Sequence, residues 1–204
     1  MCLFNAFGHE WCLNGSLILR QGKPMSAIPA DVLTFWRTAG PAKWFTKSTA
    51  FDEAIRLRFE PVHHAAARGR YAAWEQTAEG ALALILLFDQ FPRNLYRGSA
   101  HAFATDPLAR SIARLSLEAG YHLEVEEALK PFYFLPFVHS EDLADQDRSV
   151  ALYEAAGDAN GLKWAHIHRD IIVRFGRFPH RNASLGRVTT PEEQAFLDEG
   201  GFGG

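Results

Sequence analysis

Apolar positions recur along the chain with helical spacing, and proline or glycine punctuates them at short intervals. Pro29 opens a run in which Val32, Leu33 and Trp36 share a face, and Gly40-Pro41 closes it. Phe51, Ile55 and Phe59 lie at i, i+4 and i+8, behind Thr49 and Asp52 at capping-box spacing; Pro61 is expected to kink that helix before Gly69. The segment ALALILLF after Thr77 is apolar on every side, the pattern of a helix surrounded by others, and is the expected centre of the fold. Asp106-Pro107 reads as the cap of a helix with Leu108, Ile112, Leu115 and Ala119 on its core stripe, ended by Gly120.

PFYFLPF carries two prolines and reads as a buried connector. Ser140 is expected to begin a helix ending at Gly157, another runs from Asn160 to Phe175 and stops at Gly176, and Thr190-Pro191-Glu192-Glu193 caps a last short one. No segment alternates with period two for long enough to be a strand. The fold class is therefore all-α: an antiparallel helical array in a single domain over 25–199. Residues 1–24 are read as a peripheral N-terminal extension and 200–204 as a Gly-rich tail.

Composition narrows the function classes. With 204 residues, 48% of them hydrophobic, the chain can bury a core without a disulfide or metal staple. Only Cys2 and Cys12 are present, which fits neither a secreted disulfide framework nor a paired-cysteine zinc site and points to a cytoplasmic location. A formal charge of -3 argues against nucleic acid as a partner. No apolar run approaches the roughly 18 residues that cross a bilayer, so no membrane association is expected. The N-terminus lacks the basic start of a signal peptide, and His9, Glu10 and Asn14 interrupt its apolar stretch.

Two segments echo each other: DQFPRNLYRG from Asp89 and RFPHRNASLG from Arg177 both carry Phe-Pro, then Arg-Asn, then Leu and Gly. Turn chemistry alone explains the pattern, and so does a shared binding role. FDQFPRNLYRG, AFATDPLA, FYFLPFVHSEDLADQDRSV, HRDIIVRFGRFPHRN and TTPEEQAFL together resemble the bacterial family known as domain of unknown function 924, from about Pro29 to Leu197. The resemblance implies an all-helical fold similar to tetratricopeptide-repeat arrays. It implies no catalytic residues. One departure is Phe35-Trp36-Arg37, where the family commonly reads FW-F.

Candidate chemistry concentrates in arginine, histidine and carboxylate positions. Lys163, Arg169, Arg174, Arg177, Arg181 and Arg187 oppose a single acid, Asp170, whereas Glu141, Asp142, Asp145, Asp147, Glu154 and Asp158 oppose only Arg148. Ion pairing between two neighbouring helices accounts for this, as does an anion site built from Arg174, Arg177, His180, Arg181 and Asn182 just past the stop at Gly176. His168 falls in an apolar arc with Trp164, Ile167, Ile171, Ile172 and Phe175, so it points inward, while His166 points to solvent. Asp89 follows ALALILLF and is expected to be buried, with Arg93 as its local cationic partner or a distant arginine joining the two Phe-Pro turns.

His139, Glu141, His168 and His180 lack the spacing of a metal site, so none is expected. Neither a P-loop nor a nucleotide-binding glycine pattern is present, and no cofactor is indicated. The expected function is binding of a small anionic ligand or an acidic peptide at a site drawn from Asp89, Arg93, Asn94, His139, Glu141, His168, Arg174, Arg177, His180, Arg181 and Asn182. A small enzyme using histidine and carboxylate acid-base chemistry is the alternative, and a protein-interaction scaffold the third reading.

Overall fold

The structure is a computed structural model that describes residues 27–203 and, as an antiparallel two-residue pairing, the backbone of Leu3–Phe4 with Glu10–Trp11. The expected extension 1–24 otherwise lies outside the described residues. From residue 27 onward the chain is all-α. Its helices are α1 (Pro29–Ala39), α2 (Pro41–Trp44), α3 (Thr49–Ala67), α4 (Ala78–Ile85), α5 (Phe91–Leu95), α6 (Asp106–Glu118), α7 (Leu135–Val138), α8 (Leu143–Ala156), α9 (Ala159–Phe175) and α10 (Pro191–Asp198), joined in places by 3₁₀ turns.

The apolar run is the centre. Ala81 to Phe88 are all at most 3% exposed, and α4 packs against both α1 and α6. This burial is the main term holding the molecule together, at roughly 25 cal/mol per Å² of apolar surface removed from water. Around it sits an aromatic layer in which Trp36 stacks on Trp44 at 5.8 Å and meets Phe132 edge-on at 5.5 Å. The Trp44 indole donates to the Trp36 carbonyl at 2.8 Å, so the ring is buried without stranding its polar atom. Arg37, where the family pattern departs, leaves this core and reaches Glu79 and Glu126 at 3.2 and 3.0 Å.

Several helix ends differ from the sequence reading by a residue or two. Ser48, not Thr49, caps α3, accepting from the Phe51 amide; Asp52 is drawn away to Arg97 and Asn94. Pro61 lies inside α3, whose helical run continues to Ala67. Asp142, not Ser140, caps α8, because Ser140 donates to Asp145 at 2.7 Å instead. Asp106 is the first residue of α6 and does not cap it.

Between α4 and α5 the helix does not stop. Leu86 to Gln90 form a π-helical turn, and the Phe91 amide bonds back to the Leu86 carbonyl. A π turn inserts an extra residue into the helical ladder and re-aims the side chains beside it. Here those side chains are Asp89 and Gln90. α8 and α9 form a tight antiparallel hairpin, with left-handed Gly157 ending the first helix and left-handed Gly176 ending the second.

Candidate functional site

The π turn delivers a carboxylate to the interior. Asp89 is 0% exposed, and its Oδ1 accepts from His139 Nδ1 at 2.8 Å while Oδ2 accepts from Gln90 Nε2 at 2.5 Å. Arg93 Nη1 stands 3.3 Å from the same carboxylate and also donates to the Asp89 carbonyl. Burial alone would push Asp89 up; Arg93 and His139 outweigh it and hold the carboxyl well below the usual range. Burial and Arg93 push His139 down against the pull of Asp89. At neutral pH the pair is an aspartate and a neutral imidazole whose Nδ1–H donates to it. That tautomer leaves Nε2 with a free lone pair.

Asp106 connects the two Phe-Pro turns. Arg93 forks onto it at 3.0 and 3.1 Å, and Arg181 Nη1 stands 3.6 Å away. Arg181 is 6% exposed, its guanidinium held between Phe103 and Phe178 at 4.5 and 4.6 Å from the ring centroids. Its Nη2 donates to the His139 carbonyl at 3.0 Å, and its buried Nε has no partner among the described residues. Burial, followed by repulsion from Arg93, lowers Arg181 to about 10.

These groups adjoin an open groove of about 610 Å³. Its lining includes Phe103, Asp106, Arg110, His139, Glu141, Asp142, Arg181 and Leu185. A smaller depression of about 300 Å³ shares Pro107 and Arg110 with it and extends along α6 to Arg114 and Leu115. Glu141 fixes the far wall: it accepts from the Phe178 amide at 2.8 Å and from both terminal nitrogens of Arg187 at 2.7 and 3.0 Å.

Of the residues singled out in the sequence, Asp89, Arg93, His139, Glu141 and Arg181 thus come together. Others do not join them. Arg177 forks onto Glu193 at 2.6 and 2.8 Å, and Arg174 reaches Glu192 at 3.1 Å, so the expected convergence of Arg174 and Arg177 on the cavity is not found; α10 supplies their counter-charges. Asn94 donates to Asp52 at 2.8 Å, and the fully buried Asn182 to Glu193 at 3.2 Å. The echo between the turns is therefore physical: each arginine of Arg-Asn faces Asp106, and each asparagine donates to a carboxylate that a second arginine also holds.

His168 and His180 form a neighbouring cluster behind the Phe178 ring, with ring centroids 5.6 Å from it in both cases. His168 donates Nδ1–H to the Trp164 carbonyl at 2.8 Å, and Trp164 itself is 45% exposed, contrary to its expected place in the apolar arc. Among the described residues no group of three or more histidine, cysteine or acidic side chains is placed to hold a metal ion. No helix among them is long and apolar enough to cross a membrane.

Residues 32–201 match the family described as bacterial protein of unknown function, DUF924. The chain belongs to DUF924. A solved structure of a protein of unknown function from Agrobacterium tumefaciens, ATU0120, is similar at 50% sequence identity and a TM-score of 0.81, covering 84% of this chain and 97% of that one. No curated protein matches. The DUF924 fold accordingly reaches almost the whole described chain, groove included.

The candidate site drawn from the sequence left out Asp106, Phe103, Arg110 and Arg187. Asp106 carried a signal, because Asp-Pro before an apolar stripe is a helix start, but that local explanation hid a second role. Phe103 and Arg110 carried none: nothing near them in sequence places an aromatic face or a cation beside the second turn.

Proposed function

We propose that this DUF924 protein binds a small anionic ligand in the groove between α6 and the turn at Phe178–Arg181. The observation that carries the reading is Arg181. A guanidinium offers five donors, yet the only hydrogen bond of this buried side chain among the described residues is to a backbone carbonyl, and its nearest carboxylate stands 3.6 Å away. A buried cation so lightly compensated gains from an anion placed in the groove it lines.

A second reading rests on a different observation. His139 lines the same groove with Nδ1 locked to buried Asp89, the arrangement that orients an imidazole as a proton acceptor. An anion held by Arg181 would lie beside that base, so the chain could act as a small acid-base enzyme on an anionic substrate.

Both readings meet one experiment. Thermal shift of the parent and of Arg181→Gln is recorded against phosphorylated metabolites, dicarboxylates and acidic peptides. A ligand at 100 times its dissociation constant stabilises by about 2.7 kcal/mol. Binding predicts a shift for the parent that Arg181→Gln loses, and the enzyme reading adds product on incubation. Equal shifts in both proteins would remove Arg181 from the site.

A further inference from the structure

The segment after α10 turns back across the molecule and sets Phe202 against both histidines of the neighbouring cluster. Its ring centroid is 4.4 Å from that of His168, 5.2 Å from His180 and 6.2 Å from Trp164. Two glycines make the reversal possible. Gly200 has φ +81°, a conformation that side chains rarely adopt, and a Cβ on Gly201 would lie 2.5 Å from the Phe196 ring and carbonyl. The Gly201 amide bonds to that carbonyl at 2.9 Å, which fixes the direction in which the chain leaves α10.

What lies beneath is unusual for a core. His180 has its Nδ1 buried with no hydrogen-bond partner among the described residues, although a buried polar atom is normally satisfied. The Phe178 ring adjoins both this imidazole pair and Arg181, 5.6 Å from each histidine ring and 4.6 Å from the guanidinium. Phe202 is only half-buried, and Ile171, Ile172 and Phe178 form a small apolar cluster apart from the main core. Phe202 is held by its packing on that cluster and by the rings of Trp164, His168 and His180, outside the main core.

We propose that residues 200–203 act as a strap whose Phe202 closes an imidazole pocket formed by His168 and His180, and that release of the strap opens both side chains to ligands. The strap is autoinhibitory for this pocket. It keeps the orphaned His180 nitrogen from solvent and from any donor that would satisfy it. The inference does not depend on the anion reading, since it concerns access to a different pair of rings.

The test is carbethoxylation of the full chain by diethyl pyrocarbonate, followed residue by residue by mass spectrometry. Phe202→Ala removes the ring, and Gly201→Ala evicts the intact ring by crowding Phe196. If seating the ring is worth about 1.4 kcal/mol, each variant opens the pocket and speeds modification of His180 and His168 about tenfold, with His139 unchanged. Parent rates in both variants would overturn the strap. So would loss of helical circular dichroism in Phe202→Ala, which would make Phe202 an ordinary core residue.

Discussion

Asp89 shows how a single side chain can tie sequence to site. It follows eight apolar residues on a helix with no polar face, so its burial was legible before any coordinates. Its partners were legible only in part: Arg93, four residues on, falls one turn away, whereas His139 comes from 50 positions downstream. Removing the carboxylate in Asp89→Ala leaves Arg93 with Asp106 as its one carboxylate partner among the described residues and strands His139 Nδ1–H in the interior. The expected cost is about 3 kcal/mol in a denaturant unfolding curve, because breaking a buried pair leaves an uncompensated group. A loss under about 1 kcal/mol, the value of a surface pair, would show that the site is far wetter than its geometry implies.

Elements were read from their punctuation, and the reading was best where the physics is local. Gly157 and Gly176 end α8 and α9 because a left-handed residue there closes the last turn, and the Thr190/Glu193 capping box starts α10 as expected. Thr49, Ser140 and Asp106 were misjudged as caps because neighbouring residues of similar capping ability compete, and tertiary partners decide which is used. The π turn at Leu86–Gln90 had no readable signal at all. It places Asp89 through a shift of register that an apolar run cannot encode.

The hairpin of α8 and α9 carries His168 and delivers the turn with Arg181, so its seam matters to the site. Gly161 sits where the helices approach, and a Cβ there would collide with the Tyr153 ring and stand 2.6 Å from Asp158 Oδ2. Gly161→Ala should cost about 2 kcal/mol, within the range of overpacking, with an unchanged denaturant slope. A urea midpoint equal to that of the parent would mean that the hairpin adjusts freely and does not fix the turn.

At the scale of the molecule, the protonation states pull in one direction. Burial depresses His63, His139, His168 and His180, the last to about 3, while hydrogen bonds from Arg177 hold Glu193 at about 2 despite its burial. For each of these groups the unfolded chain binds protons at a higher pH than the folded one. Their contribution is therefore complete above about pH 6.5, the unperturbed histidine value, and is lost as pH falls through the folded values. Urea midpoints should be level above neutrality and fall steadily toward pH 4, each histidine contributing up to about 1.4 kcal/mol per pH unit. Midpoints that stay level down to pH 4 would mean that these rings titrate as in the unfolded chain.

The assembly of the site belongs to this scale too. Asp89, Asp106, His139 and Arg181 come from four separate segments, and no periodicity or spacing relates them, so their meeting could be read only from the fold. The two turns that carry Phe-Pro and then Arg-Asn pointed toward it without naming Asp106 as the residue both arginines face.

The claim that groove, Arg181 and the Asp89–His139 pair form one anion site is tested most directly by side-chain ¹⁵N NMR of His139 during titration with inorganic phosphate and with malonate. The free protein should show a neutral ring protonated at Nδ1, and at least one of the two anions should move the Nε2 resonance saturably, a response that Arg181→Gln abolishes. A His139 resonance that stays fixed through both titrations, or that moves equally without Arg181, would contradict it.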